Sequence, residues 1–400
     1  MFRATFHTDP TAVDAAAWDA LLARQAQPTP FMRHAYLAAL HASGSAVPAT
    51  GWAPRFCLLW DGDALAAAAP LYVKSHSYGE YVFDWAWANA YAEHGLCYYP
   101  KALVAVPFTP VPGSRLLARD EAARAALVQA LVGFGEQHGL SSLHVLFGDA
   151  ADQAACAKAQ LMPREQLQFH WRNHHPASGL PFAGFDDFLA ALAQDKRKKI
   201  RQERRKVADA GVTVRHVQGA AITPEDWAFF YRCYERTYLE HGNAPYLSAD
   251  FFARMASGMA EHWVLFVAER DGAPIASSLI AVSVINTGEN TVFNQNSAAW
   301  GRYWGALERV DSLHFELCYY QPIAWCITHG VARFEGGAQG EHKMARALLP
   351  TPTHSSHWLA HPAFSDAVQR FLARESAGVA NYLDHLDGRS PFRGRAPAGG

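Results

Sequence analysis

Hydrophobic positions recur along this chain with the spacing of strands and helices, and the order of the elements they predict occurs twice. Continuous or alternating apolar runs indicate strands, whereas apolar residues at i, i+3, i+4 and i+7 indicate helices. The turn at 61–63 (Asp-Gly-Asp) joins two predicted strands as a hairpin. In the first half the pattern predicts a helix at 31–42, strands at 55–60, 65–74 and 103–108, a helix at 121–138 and a strand at 142–147.

The second half repeats this order of elements. It predicts a helix at 226–241, strands at 263–269, 275–284 and 290–294, a helix at 313–329 and a strand at 331–335. In both halves a His-Gly pair ends the long helix, with Gly139 and Gly330 as the C-terminal caps. Because strands that alternate with helices build sheets covered by helices, we predict an α/β (α+β) protein with two tandem domains.

The domain boundaries follow from shifts in composition. We place the first domain at 1–165 and the second at 166–386, with a junction rich in Pro, Gly and His over 162–184. The segment 387–400 is biased toward Gly, Pro and Arg, and we predict that it is a disordered tail.

Composition and charge exclude several classes of protein. Half of the 400 residues are apolar and 12% are aromatic, which is too much buried area for a disordered chain. The balance of 35 basic against 37 acidic residues excludes a histone-like wrapper of nucleic acid. The N-terminus lacks a signal-peptide pattern, and the longest weakly apolar run, 64–73, is too short to cross a membrane. We therefore expect a cytoplasmic protein without an integral membrane span, in which the six scattered cysteines are reduced packing residues.

A strongly basic segment opens the second half. Eight of the eleven residues at 196–206 are basic, and Glu203 is the only acid. An apolar stripe predicts one amphipathic helix from Asp186 or Asp187 to Gly211. Because like charges repel along a helix, an anionic partner such as phosphate, RNA or an acidic lipid surface would stabilise it. The alternative is a solvated face, or packing on acids of the same domain. The candidate anion-binding residues are Lys198, Lys199, Arg201, Arg204 and Arg205.

A glycine-rich segment follows the last predicted strand. Glycines allow backbone N–H groups to approach a ligand closely, because no Cβ blocks them. Either Glu341 or His342 has the chemistry to deprotonate an amine, and Lys343 has the charge to hold an anionic group. The alternative is a tight turn with exposed charges. The spacing matches neither a dinucleotide fingerprint nor a P-loop. The candidate substrate-binding residues here are Gly336, Gly337, Gln339, Gly340 and Lys343.

Two further segments of the first half are candidates for binding. Gly113, Ser114 and Arg115 lie between a predicted strand and the long helix, where a helix N-terminus favours an anion. The alternative there is a rigid connector, since three prolines occur at 107–112. In the aromatic stretch 78–99, Tyr78, Glu80 and Trp85 suit the wall of a substrate pocket, and the alternative is core or domain interface. The scattered histidines lack the i, i+4 spacing of a zinc site, so we predict no metal.

Several motifs resemble the Fem-like branch of the GNAT acyltransferase superfamily. More closely, they resemble bacterial predicted N-acyltransferases known as peptidoglycan biosynthesis/recognition proteins. The resemblance covers nearly the whole chain and implies two GNAT-like domains, each with a mostly antiparallel sheet splayed at its centre. The motifs are the basic segment RKKIRQERRK, SHSYGEYVFDWAWANAYAEHGLCYYPK, VPFTPVPGSRLL, LHFELCYYQ and FEGGAQGEHKMARALLP.

The resemblance implies an N-acyltransferase with acyl-CoA or aminoacyl-tRNA as donor and a small-molecule or peptidic amine as acceptor. In acyl-CoA-dependent relatives a Q/R-x-x-G-x-G/A turn binds pyrophosphate; Trp300–Gly305 does not match it, and Pro112–Arg115 matches it in part. In Fem relatives the donor is aminoacyl-tRNA, for which the basic segment would provide a surface.

The activity that we predict is direct attack of the amine on the donor, without a covalent enzyme intermediate. In this hypothesis Glu341 or His342 assists deprotonation, and backbone N–H groups at 337–340 polarise the carbonyl. Gly113 and Arg115 steady the donor phosphate. The alternative is a non-catalytic protein that binds RNA or a cell-wall precursor through the basic helix and the aromatic residues.

Overall fold

The chain divides into two compact units. In this computed structural model residues 2–283, 297–337, 340–387 and 390–393 are described, without the side chains of His342 and Asp387. The first unit comprises 1–167, 246–251 and 352–382, and the second comprises 168–245, 252–351 and 383–400. The first division lies close to residue 165, where we predicted a boundary. The structure assigns 352–382 to the first unit, however, whereas we predicted this segment in the second domain.

The elements up to residue 172 carry most of the first unit. In chain order they are β1 (Arg3–His7), α1 (Ala15–Ala23), α2 (His34–Ala42), β2 (Trp52–Pro54), β3 (Phe56–Asp61), β4 (Ala64–Ala69), β5 (Leu71–Lys74), α3 (Trp85–Glu93), β6 (Lys101–Val104), β7 (Leu117–Ala118), α4 (Glu121–Gln137), β8 (Ser142–Leu146), α5 (Ala150–Lys158) and β9 (Met162–Arg172).

The remaining elements carry most of the second unit. In chain order they are α6 (Phe185–Ala191), α7 (Gln194–Asp209), β10 (Val212–Gln218), α8 (Pro224–Glu240), α9 (Ala249–Gly258), β11 (Trp263–Arg270), β12 (Ala273–Val282), β13 (Ala298–Ala306), α10 (Leu313–Phe315), α11 (Gln321–Thr328), β14 (Arg333–Glu335), β15 (Leu349–Leu359) and α12 (Pro362–Asp387). A π-helical turn, Glu316–Tyr320, joins α10 to α11.

The first unit contains a small sheet, with the strand order β1-β3-β4-β7, and a second run of strands, β2-β5-β6-β8-β15. The strand β8 pairs with β6 in parallel, and α4 is the crossover between them. The side chain of Asp120 accepts a hydrogen bond from Ala123 N and thereby caps α4. Leu127, Leu131 and Phe134 of α4 belong to the buried apolar cluster of this unit.

The sheet of the second unit has the order β10-β11-β12-β13-β14-β9. Its neighbouring strands are antiparallel except for β13 and β14, which are parallel and are connected by the helical segment 313–328. Each unit therefore repeats the same motif of a strand, a long helix and a parallel strand. This repeat is the physical basis of the similar hydrophobic pattern in the two halves.

Four elements differ from the sequence-based expectation. The strand predicted at 65–74 is two strands, β4 and β5, which belong to different sheets. The helix predicted from Asp186 or Asp187 to Gly211 is two helices, because Leu192 adopts an extended conformation between α6 and α7 and is fully buried. The junction predicted at 162–184 contains the strand β9, in which the four consecutive residues 168–171 are buried. The long helix predicted at 313–329 contains the π-helical turn.

The segment 352–382 joins the first unit through its apolar face. Val368 and Leu372 of α12 are buried in one cluster with Trp87 and Tyr91 of α3. In the predicted disordered tail, Phe392 forms a β-bridge with Leu192. Residues 388–389 and 394–400 of this tail lie outside the described part, as do 290–294, where we predicted a strand.

Candidate functional site

The parallel strands of the second unit pair over only three residues. Ala298 pairs with Arg333 and Trp300 pairs with Glu335, where β14 ends, while β13 continues to Ala306. Strand β13 also carries a bulge, since Leu279 faces Tyr303 and Ile280 faces Gly301 across the ladder with β12, and Arg302 is the extra residue. Beyond residue 300, the described chain thus gives β13 no ladder with β14.

The glycines that follow β14 are required by close packing and backbone geometry. A Cβ on Gly336 would lie 2.5 Å from Leu348 Cδ2 and 3.1 Å from Tyr319 Cε1. Gly337 and Gly340 have φ angles of 90° and 118°, in the region that favours glycine. The predicted substrate-binding residue Gln339 and the side chain of the predicted catalytic residue His342 lie outside the described residues.

Lys343 is buried beside this glycine segment, in the 3-10 helical turn Glu341–Arg346. Its Nζ atom donates a hydrogen bond to the carbonyl oxygen of Gly337 at 2.8 Å. Burial lowers the pKa of Lys343 to about 8, and the nearby Cys318 acts in the opposite direction. The amine is therefore largely cationic at neutral pH, which is the state needed to hold an anionic group. Glu341, in contrast, is exposed.

The helix α7 presents most of its predicted anion-binding residues to solvent. Four of them are exposed: Lys198, Lys199, Arg201 and Arg205. All of these except Lys199 line an open groove of about 600 Å³, together with neighbouring residues of the helix. Arg204 is instead held by Glu316, whose two carboxylate oxygens each lie 3.2 Å from Arg204 Nε. Within the described residues, the ion pairs of α7 are Lys196–Asp195, Arg204–Glu316, Lys206–Asp311 and Glu203–Arg346.

The single acid of the basic segment faces the protein interior. Glu203 accepts hydrogen bonds from Arg346 Nη2 at 2.8 and 2.9 Å, and also from the hydroxyl of Tyr320. The guanidinium of Arg346 lies 3.6 Å from the centroid of the Phe315 ring. This buried pair connects α7 to the turn that carries Lys343.

In the first unit, protein groups occupy the predicted phosphate cradle. The backbone N–H groups of Arg115 and Leu116 donate to the carboxylate of Asp152 at 2.6 and 3.2 Å, and the Ser114 hydroxyl donates to Asp149. The Arg115 guanidinium is fully buried and donates to backbone carbonyl oxygens, including that of Gly113 at 3.2 Å. A phosphate would have to displace these carboxylates, so the expected role of 113–115 remains a prediction that this geometry does not favour.

The predicted aromatic wall consists of two exposed rings and one buried acid. Tyr78 and Trp85 are 60% and 37% exposed, and their rings meet edge to face with centroids 5.1 Å apart. Glu80 is buried and accepts a hydrogen bond from Lys101 Nζ at 2.8 Å. Of these three predicted residues, Tyr78 and Trp85 are thus placed to touch a ligand from solvent.

Lys101 is the centre of a buried charge cluster that the sequence did not reveal. Its Nζ atom donates hydrogen bonds to Ser77 Oγ at 2.7 Å, to Glu80 and to Asp84. One carboxylate oxygen of Glu80 and one of Asp84 are buried without a hydrogen-bond partner among the described residues. Burial raises the pKa of Glu80 to about 7. Lys74 lies directly opposite Lys101 across the β5–β6 ladder, and burial lowers its pKa to about 7.

Two facing histidines extend this cluster. The Tyr98 hydroxyl donates to Asp84 Oδ2 at 2.7 Å and lies 3.1 Å from His144 Nε2. The Nδ1 atoms of His144 and His357 are 2.7 Å apart, and Ser355 Oγ lies 2.9 Å from His357 Nε2. Burial lowers the pKa of both histidines well below 6.5, so both rings are neutral at neutral pH and share one Nδ1–H hydrogen bond.

We expect this histidine pair to make the protein sensitive to acid. Below pH 6.5 the unfolded histidines gain protons while the buried ones do not, so the free energy of unfolding falls by about 1.4 kcal/mol per histidine and per pH unit. This stability is complete above pH 6.5 and is lost as the pH falls toward the lowered pKa values. The measurement is urea unfolding at pH 7.5, 6.5 and 5.5 for the wild type and for the double variant His144→Gln, His357→Gln.

The double variant should lose less stability than the wild type between pH 6.5 and 5.5, although it starts from a lower value. The matched control is His138→Gln, which removes a histidine from the exposed end of α4 and leaves the buried pair in place. Equal pH dependence in the wild type and the double variant would contradict the assignment.

Comparison with known families agrees with the Fem-like resemblance that the sequence motifs indicated. The chain belongs to the FemAB-like family, described as peptidoglycan biosynthesis/recognition, whose model matches residues 9–394. The predicted α/β fold class of two tandem GNAT-like domains is confirmed.

Two solved structures are similar to the whole chain. FemX is 9% identical with a TM-score of 0.51, and the match covers 89% of this chain and 98% of that one. L-PGS from Bacillus licheniformis is 11% identical with a TM-score of 0.51, covering 90% of this chain and 97% of that one. At these identities the similarity establishes the fold alone. A search of curated proteins finds no significant match.

The described residues lack two features, a membrane-spanning helix and a metal-binding cluster. No helix within them is long and apolar enough to cross a membrane. The same residues contain no group of three or more His, Cys, Asp or Glu side chains arranged to hold a metal ion.

Proposed function

We propose that this protein is an N-acyltransferase that moves an acyl or aminoacyl group onto an amine, in chemistry related to peptidoglycan. The observation that carries the proposal is the edge of β13 beyond Trp300, with its bulge at Arg302, beside the segment Gly336-Gly337. Backbone N–H groups at such an edge are donors for the oxygen that becomes negative when a carbonyl is attacked. Membership of the FemAB-like family supports the same activity.

In the proposed reaction a neutral amine attacks the carbonyl carbon of a thioester or ester. A C–N bond forms, the C–S or C–O bond of the donor breaks, and the thiol or hydroxyl leaving group takes up a proton. The amine loses its own proton to Glu341 or His342. Lys343, which is buried and largely cationic, would hold an anionic part of the donor or the acceptor.

The donor is acyl-CoA or aminoacyl-tRNA. The exposed cations of α7 support a nucleic-acid donor, because Lys198, Lys199, Arg201 and Arg205 form no ion pair with another described residue. The carboxylates of Asp149 and Asp152 at the predicted phosphate cradle weaken the case for CoA in the first unit.

The test is transfer from a panel of aminoacyl-tRNAs and acyl-CoA thioesters to peptides with a free amine, followed by mass spectrometry of the product. We expect the double variant Glu341→Gln, His342→Ala to lower kcat by about 100-fold or more, because the proton acceptor is lost. The control is Lys158→Met, a substitution at an exposed residue of α5.

Unchanged turnover in the double variant would show that neither residue is the base. The alternative function, a non-catalytic binder of RNA or of a cell-wall precursor, predicts a different outcome. There would be no transfer from any donor, while tRNA binding would lose its salt dependence when Lys198, Lys199, Arg201 and Arg205 are neutralised.

A further inference from the structure

A pocket of about 450 Å³ lies in the second unit where the end of α8 meets β13. Its lining residues are Tyr234, Thr237, Tyr238, His241, Asn243, Arg302, Tyr303 and Trp304. The lining combines four large aromatic rings with a single permanently charged side chain, that of Arg302. A concave site with a few polar groups at fixed positions is the usual form of a small-molecule site.

The walls of this pocket are held rigidly. A Cβ on Gly305 would lie 1.9 Å from the carbonyl oxygen of Cys233, so α8 and β13 touch backbone to backbone. Thr237 Oγ1 donates to the carbonyl oxygens of Cys233 and Trp304, at 3.2 and 3.0 Å, and thus connects the two elements. The bulge of β13 falls at Arg302, which places this side chain in the lining.

The hydrogen bond of His241 decides which ring nitrogen is basic. Its Nδ1 atom lies 2.6 Å from the carbonyl oxygen of Thr237. A carbonyl only accepts hydrogen bonds, so Nδ1 carries the proton and Nε2 of the neutral ring is a proton acceptor. His241 is exposed at the end of α8 and lines the pocket, so Nε2 is accessible to a bound ligand.

The same bond elsewhere in the chain shows what is particular to His241. His94, His138 and His329 also bond through Nδ1 to the carbonyl four residues earlier, at the ends of α3, α4 and α11. The rings of His138 and His329 stack on Phe134 and Trp325, with centroids 4.0 and 4.2 Å apart. Capping of a helix end therefore explains the Nδ1 bond of all four histidines, but only His241 among them lines the pocket with Arg302.

We propose that this pocket binds the acceptor as a small peptide or amino acid with both a free amine and a carboxylate, and that His241 Nε2 accepts the proton of the attacking amine. Arg302 binds the carboxylate, and the aromatic rings surround the body of the ligand. The inference rests on the proposed acyl transfer and adds a second proton acceptor, because the acceptor enters the pocket as an ammonium. Nε2 takes up the proton that converts this ammonium into the neutral attacking amine and passes it to solvent, whereas the proton lost as the C–N bond forms goes to Glu341 or His342.

Binding is tested first, without any donor, by calorimetry with the dipeptide L-alanyl-L-alanine. Its N-acetylated form lacks the amine and its C-terminal amide lacks the carboxylate. We expect Arg302→Gln to weaken binding of the dipeptide by about 10-fold or more, which corresponds to the loss of one charge-assisted hydrogen bond. The affinity for the C-terminal amide should be unchanged. The Nε2 chemical shift of His241 should respond to the dipeptide and not to the N-acetylated form.

Turnover is tested second, with His241→Gln and with His329→Gln as the matched control. His241→Gln should lower kcat by about 100-fold or more with little change in dipeptide binding, and His329→Gln, which removes the same cap bond, should leave kcat unchanged. Turnover that survives His241→Gln, or a wild type that fails to bind the dipeptide, overturns the inference. If the dipeptide binds through Arg302 but no donor supports transfer, then the proposed function fails while the site stands.

Discussion

Replacing Lys101 by methionine is expected to lower the free energy of unfolding of the protein by about 3–5 kcal/mol. The variant leaves Glu80 and Asp84 buried without the cation that balances their negative charges. Each of them already has one carboxylate oxygen without a hydrogen-bond partner among the described residues. The measurement is urea unfolding followed by circular dichroism, at pH 7.5. The control is Lys158→Met, whose side chain is largely exposed and whose loss should cost less than 1 kcal/mol.

The importance of charge balance in the cluster can be tested by neutralising the two carboxylates as well as removing the lysine. In the triple variant Lys101→Met, Glu80→Gln, Asp84→Asn the carboxylates are neutral, so part of the lost stability should return. A protein that is as stable with Lys101→Met as the wild type would contradict the buried cluster. No recovery in the triple variant would show that packing of the lysine chain, and not its charge, is what the site requires.

Much of the fold could be predicted from the sequence because its signals are local. The helix predicted at 121–138 is observed at Glu121–Gln137, since the apolar period lies within the segment and the Asp120 cap and Gly139 lie directly beside it. The break between α6 and α7 could not be predicted in this way. It depends on the burial of Leu192 and on its bridge to Phe392, two hundred residues away in the chain.

The candidate sites show the same division between local and distant information. The glycines after β14 are visible in the sequence, and the structure gives each a steric or backbone reason. The cluster around Lys101 is not visible, because its histidines are brought together from positions 144 and 357 by the pairing of β8 with β15. The one indication in the sequence was Lys101 at the start of an apolar strand. A lysine in this position is also typical of an exposed strand end.

The role that the sequence pattern suggests for Glu203 differs from the role that the structure shows. By pattern it is a single acid that slightly reduces the charge of a basic face. In the structure it is buried and receives both hydrogen bonds of Arg346 Nη2, while Arg346 lies against the ring of Phe315. The basic helix is therefore fixed to the turn 341–346 by an ion pair that counting charges along α7 would not predict.

Replacing Glu203 by leucine is accordingly expected to lower the free energy of unfolding by about 3–5 kcal/mol, since a buried guanidinium loses its counter-charge. The control is Asp209→Leu, which removes an exposed acid from the same helix and should change stability by about 0.5 kcal/mol or less. Urea unfolding at pH 7.5 measures both. The double variant Glu203→Leu, Arg346→Met should be more stable than Glu203→Leu alone, because neither charge is then left unpaired.

A second readout separates this pairing from a general loss of packing. If the pair fixes the turn 341–346, then Glu203→Leu should expose the amine of Lys343, which is now buried and bonded to Gly337. Acetylation of Lys343 by a water-soluble active ester, measured by peptide mass spectrometry under native conditions, should increase relative to the wild type and to Asp209→Leu. A Glu203→Leu protein that is destabilised but labels Lys343 no faster would mean that the pair stabilises α7 without controlling the turn.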